Sequence, residues 1–360
     1  MQNYLDFEKS VAELELKVNE LKLLSNDDQD ISFDSNIREL ELKTHKALEK
    51  IYGSLTPWQK TKVARHPSRP HLKDYLETLF ESFIELSGDR RYSNDCAIIG
   101  GLAKFNDKSV MVMGHEKGSS TDDRIKHNFG MASPEGYRKA GRLMEIANRF
   151  QLPIITIVDT AGAYPGIGAE QRGQSEAIAR CTQICLNVRV PLVSLIIGEG
   201  GSGGAVALAS ANKVIMLEHS IYTVASPEAS ASILWRDSSK ASYAANTMKI
   251  TAQDLIEFGV IDSIISEPVG GAHRDPKLAI KKIGDVCSFL DGSAQWKTKV
   301  NIKDGNYKIG IRPHNVTIKK NRENSVEIRG KILISELSGS ESLIHFKNGK
   351  FNWVSLSSGS

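Results

Sequence analysis

Two glycine-rich segments restrict this chain more than any other feature, because each follows a run of residues too continuously apolar to lie on a surface. Residues 153–159 read Pro-Ile-Ile-Thr-Ile-Val-Asp and lead into Thr160-Ala161-Gly162-Ala163-Tyr164-Pro165-Gly166-Ile167-Gly168. Residues 191–197 read Pro-Leu-Val-Ser-Leu-Ile-Ile and lead into Gly198-Glu199-Gly200-Gly201-Ser202-Gly203-Gly204-Ala205. Strands apolar on both faces belong to parallel sheets covered by helices on both sides. In such sheets ligands bind just beyond the carboxyl ends of the strands. Glycine there lets main-chain N–H groups approach a ligand with no Cβ in the way.

The flanking pattern agrees with an α/β architecture. Residues 97–105 and 109–115 read as a hairpin turning at Asn106 and Asp107. Ser133-Pro134-Glu135 opens a helix, with serine as N-cap and proline at its first position. Tyr137, Ala140, Met144, Ala147 and Phe150 line one side of that helix. A second helix is expected over 170–187 and a short one of small residues over 203–210. Strands are expected over 213–217 and 221–225. Thr251 and Asp254, three apart, start a further helix as a capping box.

Outside this core lie three appendages. Over 1–54, Tyr4, Phe7, Val11, Leu14, Val18 and Leu21 form one helical stripe, and Ile37, Leu40, Thr44, Ala47 and Ile51 another. A polar turn over 25–35 joins them into a helical hairpin that packs on the main domain or on another subunit. Residues 55–95 read as a helical linker whose Arg65, His66, Arg69, His71 and Lys73 form a solvated surface. The alternative is a patch facing an anionic ligand such as a CoA phosphate. Over 301–360 helical periodicity gives way to short alternating stretches, 325–334 and 342–346, expected to form a small β-barrel.

Bulk properties exclude several classes. The formal charge is +3 over 360 residues, too small to argue for nucleic acid or a membrane surface. No apolar run approaches the ~18 residues of a spanning helix, and the first residues lack the pattern of a secretion signal. A cytoplasmic location is expected. The four cysteines, Cys96, Cys181, Cys185 and Cys287, make no C-x-x-C pair and imply no metal site. Reduced, buried thiols are expected.

The glycine segments admit more than one reading. No lysine follows in the way a phosphate-binding P-loop needs. The spacing Gly198, Gly200, Gly203 matches the glycines of a dinucleotide fingerprint, a weak pattern by itself. Close helix–sheet packing with a tight turn is the purely structural alternative. The chemical reading is that Gly203 and Gly204 sit where a helix begins, so their N–H groups have no helical acceptor and suit a developing oxyanion. A helix dipole at an exposed site contributes only about 0.3–1 kcal/mol. Losing one aimed donor costs about 2.7–4 kcal/mol of barrier. The individual hydrogen bonds would outweigh the diffuse field. No side-chain nucleophile is evident: Ser202 lies in Gly-Gly-Ser-Gly-Gly rather than G-x-S-x-G.

Several longer stretches carry a family resemblance. They are Asn128-Phe129-Gly130-Met131, Pro134-Glu135-Gly136-Tyr137-Arg138-Lys139, Gly162-Ala163-Tyr164-Pro165-Gly166, Glu170-Gln171-Arg172-Gly173-Gln174-Ser175-Glu176, the Ile197 to Ala205 segment, Ser232-Ile233-Leu234-Trp235, and Gly270-Gly271-Ala272-His273-Arg274-Asp275-Pro276. In this order they resemble the alpha subunit of the carboxyltransferase of multi-subunit acetyl-CoA carboxylase. The resemblance implies a crotonase-like (ClpP/crotonase) spiral of ββα units over 96–300. It implies a two-alpha, two-beta heterotetramer working with biotin carboxylase and the biotin carboxyl carrier protein. Biotin would arrive on that carrier, and zinc would belong only to the beta subunit. Together they would make malonyl-CoA from acetyl-CoA for fatty acid synthesis, ATP being used elsewhere in the complex. By the resemblance, the N–H groups of Gly203 and Gly204 hold the ureido oxygen of biotin, and Gly162, Ala163, Tyr164, Gly166, Gly200 and Gly201 line the same cavity.

The resemblance weakens after Pro276. The family continues as a helical tail, whereas Gly284, Asp291 and Gly292 interrupt one here. Gly310-Ile311-Arg312-Pro313 and Gly339-Ser340-Glu341-Ser342, with His345 and Gly349, resemble the small β-barrel module of sugar-type ABC transporter ATPases, His314 standing where that module has an acid. Two other functions fit parts of the sequence: a stand-alone crotonase-type acyl-CoA hydrolase or isomerase, and a non-catalytic transporter-linked regulatory protein.

Overall fold

The computed structural model describes residues 3–27, 34–288 and three strands farther on. Residues 28–33, which hold most of the expected polar turn, lie outside the described residues. So do Asp291, Gly292, the Gly310 to His314 motif, residues 325–330, Gly339, Ser340 and Gly349. Met1–Ser288 and Phe289–Ser360 form separate compact units.

The first unit opens with α1 (Lys9–Asp27) packed against α2 (Asp34–Tyr52), followed by α3 (Pro57–Ala64) and α4 (Leu72–Leu79). Val11, Leu48 and Tyr52 bury against Val63 of α3, so the hairpin packs within the same unit as the core. Its polar anchor is Glu8, which is fully buried and accepts hydrogen bonds from Tyr52 Oη at 3.0 Å and Arg274 Nη2 at 2.9 Å. α3 starts where expected chemistry puts a helix: Thr56 and Gln59 cap reciprocally and Pro57 takes the first position.

Next come β1 (Glu81–Glu85), β2 (Ile98–Phe105), β3 (Lys108–His115), α5 (Thr121–Lys126), α6 (Pro134–Phe150), β4 (Ile154–Thr160), α7 (Ile167–Gln171), α8 (Gln174–Asn187), β5 (Leu192–Gly201) and α9 (Ser202–Ala209). The unit ends with β6 (Lys213–Leu217), β7 (Ile221–Thr223), α10 (Pro227–Trp235), α11 (Ala241–Thr247), α12 (Ala252–Glu257), β8 (Ser263–Ile265) and α13 (Pro276–Ser288). The sheet order is β1-β2-β3-β4-β5-β6-β8, with β7 beside the far end of β5. The first two pairings are antiparallel and the rest parallel. The hairpin turn falls on Asn106 and Asp107, both left-handed.

One face of the sheet is covered by α6, α8 and α9. Tyr137, Leu143 and Met144 meet Ala177, Cys181 and Cys185, and both sets pack on Ile154, Val158, Leu192 and Ile196. Full burial of each large aliphatic side chain contributes about 1.5–3 kcal/mol. Cys181 and Cys185, on one face of α8 as their four-residue spacing predicts, are buried, their thiols donating to Ala207 O at 3.4 Å and Ser210 O at 3.2 Å.

Several details differ from the sequence reading. The stretch 55–95 is not wholly helical, since β1 adds to the sheet edge beside β2. Its basic residues are not all solvated: His66 is 4% and Arg69 2% exposed. The helix expected over 170–187 breaks between α7 and α8 at Gly173, whose φ of 78° only glycine adopts readily. The strand expected over 191–197 runs on through Gly201, because β7 pairs with Glu199, Gly200 and Gly201. The first half of the second glycine segment is therefore strand, and its second half begins α9. Ser133 caps α6 by position only; its main-chain N–H donates to Asp95 Oδ2 at 2.8 Å instead.

In the second unit, β9 (Lys331–Ser338), β10 (Glu341–Asn348) and β11 (Phe351–Ser358) form an antiparallel sheet in the order β11-β10-β9.

Candidate active site at the carboxyl ends of the central strands

β4 and β5 are adjacent and parallel, so their glycine segments emerge side by side. The contact is close enough to forbid side chains. A Cβ on Gly201 would lie 2.1 Å from the carbonyl oxygen of Ala161. One on Gly204 would lie 2.8 Å from Tyr137 Oη and 2.9 Å from both Ala163 N and Gly162 C. A Cβ on Gly203 would meet only the Ile178 side chain, at 3.3 Å. Between strand and helix the chain turns at Ser202, a left-handed residue with φ of 53°. That turn brings Gly203 and Gly204 into the first turn of α9, where N–H groups have no acceptor within the helix.

The other candidate residues divide. Gly162 faces the Ser202 side chain, its own N–H donating to Thr160 Oγ1 at 3.1 Å. The N–H of Tyr164 donates to Ala132 O at 3.0 Å, and its ring folds over Gly166. Both of those amides are already engaged, so they line rather than donate. Gly200 packs under the Tyr222 ring and belongs to β5 together with Gly201.

Beside the glycines lies a charged network that sequence reasoning did not anticipate. Lys117 Nζ is 2.7 Å from Asp159 Oδ1 and 2.9 Å from Glu199 Oε2. Arg65 bridges Glu199 Oε1 and Glu228 Oε1, at 2.6 Å each. Burial alone would push the Glu199 carboxyl upward, but the charges and hydrogen bonds of Lys117 and Arg65 outweigh it and hold the group at about 2. Burial would also pull Lys117 down, yet Asp159 and Glu199 hold its ammonium above the ordinary lysine value. The lysine stays protonated and cannot serve as a general base. Only the placement of Asp159 and Glu199 after apolar strands hints at this network in the sequence.

Tyr137 was read as a core residue, and its ring is one. Its hydroxyl has no hydrogen-bond partner among the described residues, although it is fully buried beside Gly204. Unpartnered buried polar groups are rare and cost about 1–3 kcal/mol. Among the described residues no group of His, Cys, Asp and Glu side chains is placed to hold a metal ion, and no helix is long and apolar enough to cross a membrane.

The spiral of strands and helices, with glycine segments at adjacent strand ends, defines a crotonase-like carboxyltransferase fold. A transcarboxylase 12S structure with methylmalonyl-coenzyme A and methylmalonic acid bound shares that fold, with a TM-score of 0.51 and 16% identity, over 67% of this chain and 45% of that one. Sequence narrows the class. The chain belongs to the acetyl co-enzyme A carboxylase carboxyltransferase-like family, whose model matches residues 4–302. The acetyl-coenzyme A carboxylase carboxyl transferase subunit alpha of Azorhizobium caulinodans is 61% identical over 293 residues, 81% of this chain and 92% of its relative. That of Xanthobacter autotrophicus is 61% identical over 306 residues, 83% and 96% respectively. Residues 303–360 lie beyond the family match, and the likeness to a transporter module finds no support in these comparisons.

Proposed function

We propose that this chain is the alpha subunit of an acetyl-CoA carboxylase carboxyltransferase, with its carboxybiotin site at the start of α9. The family match supports the activity. The close packing of Gly204 on the 162–163 main chain, which leaves no room for a Cβ and holds the first turn of α9 in place, supports the site.

Carboxybiotin, when bound, supplies the carboxyl group and a ureido base for the acetyl methyl proton. This chain's part is electrostatic. Gly203 and Gly204 donate main-chain N–H groups to the ureido oxygen as negative charge grows there. The donors are fixed by the helix, so no reorganisation is needed during the reaction. The 162–163 main chain packs against the first turn of α9, and the Tyr164 ring over Gly166 limits water. The β5–β7 pairing fixes the strand end from which α9 starts. In this reading a beta subunit binds acetyl-CoA and completes the cavity, in a two-alpha, two-beta assembly served by a biotinylated carrier. Residues 96–300 act as the carboxyltransferase domain, with 1–54 and 55–95 supporting it and 301–360 outside the chemistry.

The test is biotin-dependent decarboxylation of malonyl-CoA by the chain mixed with a beta subunit. Turnover by the mixture and not by the chain alone is expected. Hydrolysis or isomerisation of acyl-CoA by the chain alone, without biotin, would favour a stand-alone crotonase-type enzyme. In the active mixture, Gly204→Pro removes an N–H and is expected to lower turnover at least ~10²-fold.

A further inference from the structure

Tyr137 carries a hydroxyl where the core needs only a ring. The ring belongs to the cluster that holds Ala177, Cys181 and Ala205, and the residue is wholly buried. Its Oη has no hydrogen-bond partner among the described residues. Burial pushes the phenol above its ordinary value, so the group stays a neutral hydroxyl. A buried polar group without a partner lowers stability, and such groups are rare enough that each has a reason. The reason here lies at the tip of the side chain. Three atoms enclose the space where a Cβ on Gly204 would stand: Tyr137 Oη at 2.8 Å, and Ala163 N and Gly162 C at 2.9 Å. Two are main chain of the 162–163 segment. The third is the hydroxyl oxygen, the one atom by which tyrosine outreaches phenylalanine.

The base of that side chain is held firmly. Tyr137 stands one turn into α6, and the start of this helix is tied down from two sides. On one side Asp95 accepts the Ser133 N–H on Oδ2 at 2.8 Å, and those of Ala97 and Ile98 on Oδ1 at 2.8 and 3.1 Å. Lys139 Nζ donates to Asp95 O at 2.7 Å and to Asn94 Oδ1 at 2.8 Å. On the other side Ala132 O accepts from Tyr164 N at 3.0 Å and from Gln174 Nε2 at 2.8 Å. The start of α6 is thus fastened to the segment that follows β4, while Tyr137 reaches the first turn of α9. With its ring packed and its helix anchored, the hydroxyl is a fixed stop.

We propose that Tyr137 is a positioning residue for carboxyl transfer: its hydroxyl seats Gly204 against the 162–163 main chain and so fixes the aim of the Gly203 and Gly204 N–H groups. The proposal rests on the carboxyltransferase reading and deepens it. Tyr137 touches neither biotin nor the acyl group and acts through Gly204. An aimed donor works only within about 0.5 Å of its productive place, so losing the contact of one oxygen atom is enough to blunt it. Stability given up at such a position is the usual companion of activity.

The test is Tyr137→Phe in the reconstituted complex, assayed for biotin-dependent decarboxylation of malonyl-CoA. The expected result is a kcat lowered about tenfold with KM for malonyl-CoA within about twofold, the pattern of a contribution made only in the transition state. The melting temperature should hold or rise. A kcat within about twofold of wild type overturns the proposal. So does a melting temperature lowered by more than about 4 °C, which would make the hydroxyl an ordinary structural bond. A double-mutant cycle shows whether Tyr137 acts through Gly204. In a Gly204→Ala background, Tyr137→Phe is expected to cost less than about twofold, and a further loss of about tenfold, the mark of independent sites, overturns the proposal. A wild-type complex with no biotin-dependent turnover defeats the carboxyltransferase reading instead, and the positioning is then judged on crystal structures of the wild-type and Tyr137→Phe chains. Gly204 N displaced by about 0.5 Å or more relative to Ala163 supports it, and an unmoved amide overturns it.

Discussion

Arg69 and Glu267 form a two-point ion pair wholly inside the protein, with Nη1–Oε2 at 2.9 Å and Nη2–Oε1 at 2.6 Å. Their side chains are 2% and 0% exposed. Arg69 Nε also donates to Ile197 O at 2.6 Å, one residue before Gly198. The pair therefore clamps β5 where its glycine segment begins. Removing one partner strands the other charge in the interior, which costs about 3–5 kcal/mol. Glu267→Gln is expected to lower the unfolding free energy by that amount in urea denaturation, and a change under about 1 kcal/mol would refute the clamp.

Acid should destabilise the fold in two stages. Burial, reinforced by Lys117, holds His115 down to about 3, and burial with nearby cations holds His273 at about 3, against an ordinary 6.5. Burial opposes the charged form of Glu267, but Arg69 outweighs it and holds that carboxyl at about 2, as in Glu199, against an ordinary 4.5. In each window the unfolded chain binds more protons than the folded one, so stability falls as pH falls. The loss begins near 6.5 with the histidines and steepens below 4.5 with the carboxylates. Urea midpoints measured at about pH 7.5, 5.5 and 4 should decline in that order. A flat profile would contradict the burial of these groups in their stated forms.

Gly203 and Gly204 should respond differently to alanine. A Cβ at 204 strikes main-chain atoms at 2.9 Å, while one at 203 meets a side chain at 3.3 Å that can shift. Gly203→Ala keeps its N–H, so a folded protein with turnover within about threefold is expected. Gly204→Ala must displace the 162–163 segment and should lose about 10²-fold, the effect of misplacing one oxyanion donor. Equal activities in the two variants would show that the close approach is not needed.

Tyr137→Phe removes a buried hydroxyl that has no partner among the described residues. Deleting an unsatisfied polar group should stabilise the chain by about 1 kcal/mol. A melting temperature lowered in the variant would reveal a hydrogen bond made by that hydroxyl.

Local rules carried much of this fold into the sequence. The hairpin turn at Asn106 and Asp107, the Thr251–Asp254 capping box and the apolar strands were legible because each depends on residues a few positions apart. The extension of β5 through Gly201 was not, because it depends on pairing with β7, 22 residues on (Glu199 with Ile221). Nor was the burial of Arg69, whose partner Glu267 is 198 residues away. Gly203 and Gly204 are singled out by the glycine pattern, whereas the Lys117–Asp159–Glu199 network joins three separate strand ends that no spacing rule connects. Phe129 reads as part of a matching word; its left-handed backbone precedes Gly130, which packs so closely on the Asp159 carbonyl and the Lys117 side chain that a Cβ there would clash.

The most direct measurement is a structure of the assembled carboxyltransferase with biotin bound. The ureido oxygen should lie about 2.7–3.1 Å from the main-chain nitrogens of Gly203 and Gly204, the range of an aimed oxyanion donor. Biotin seated away from the first turn of α9, with those two amides turned to solvent, would contradict the account.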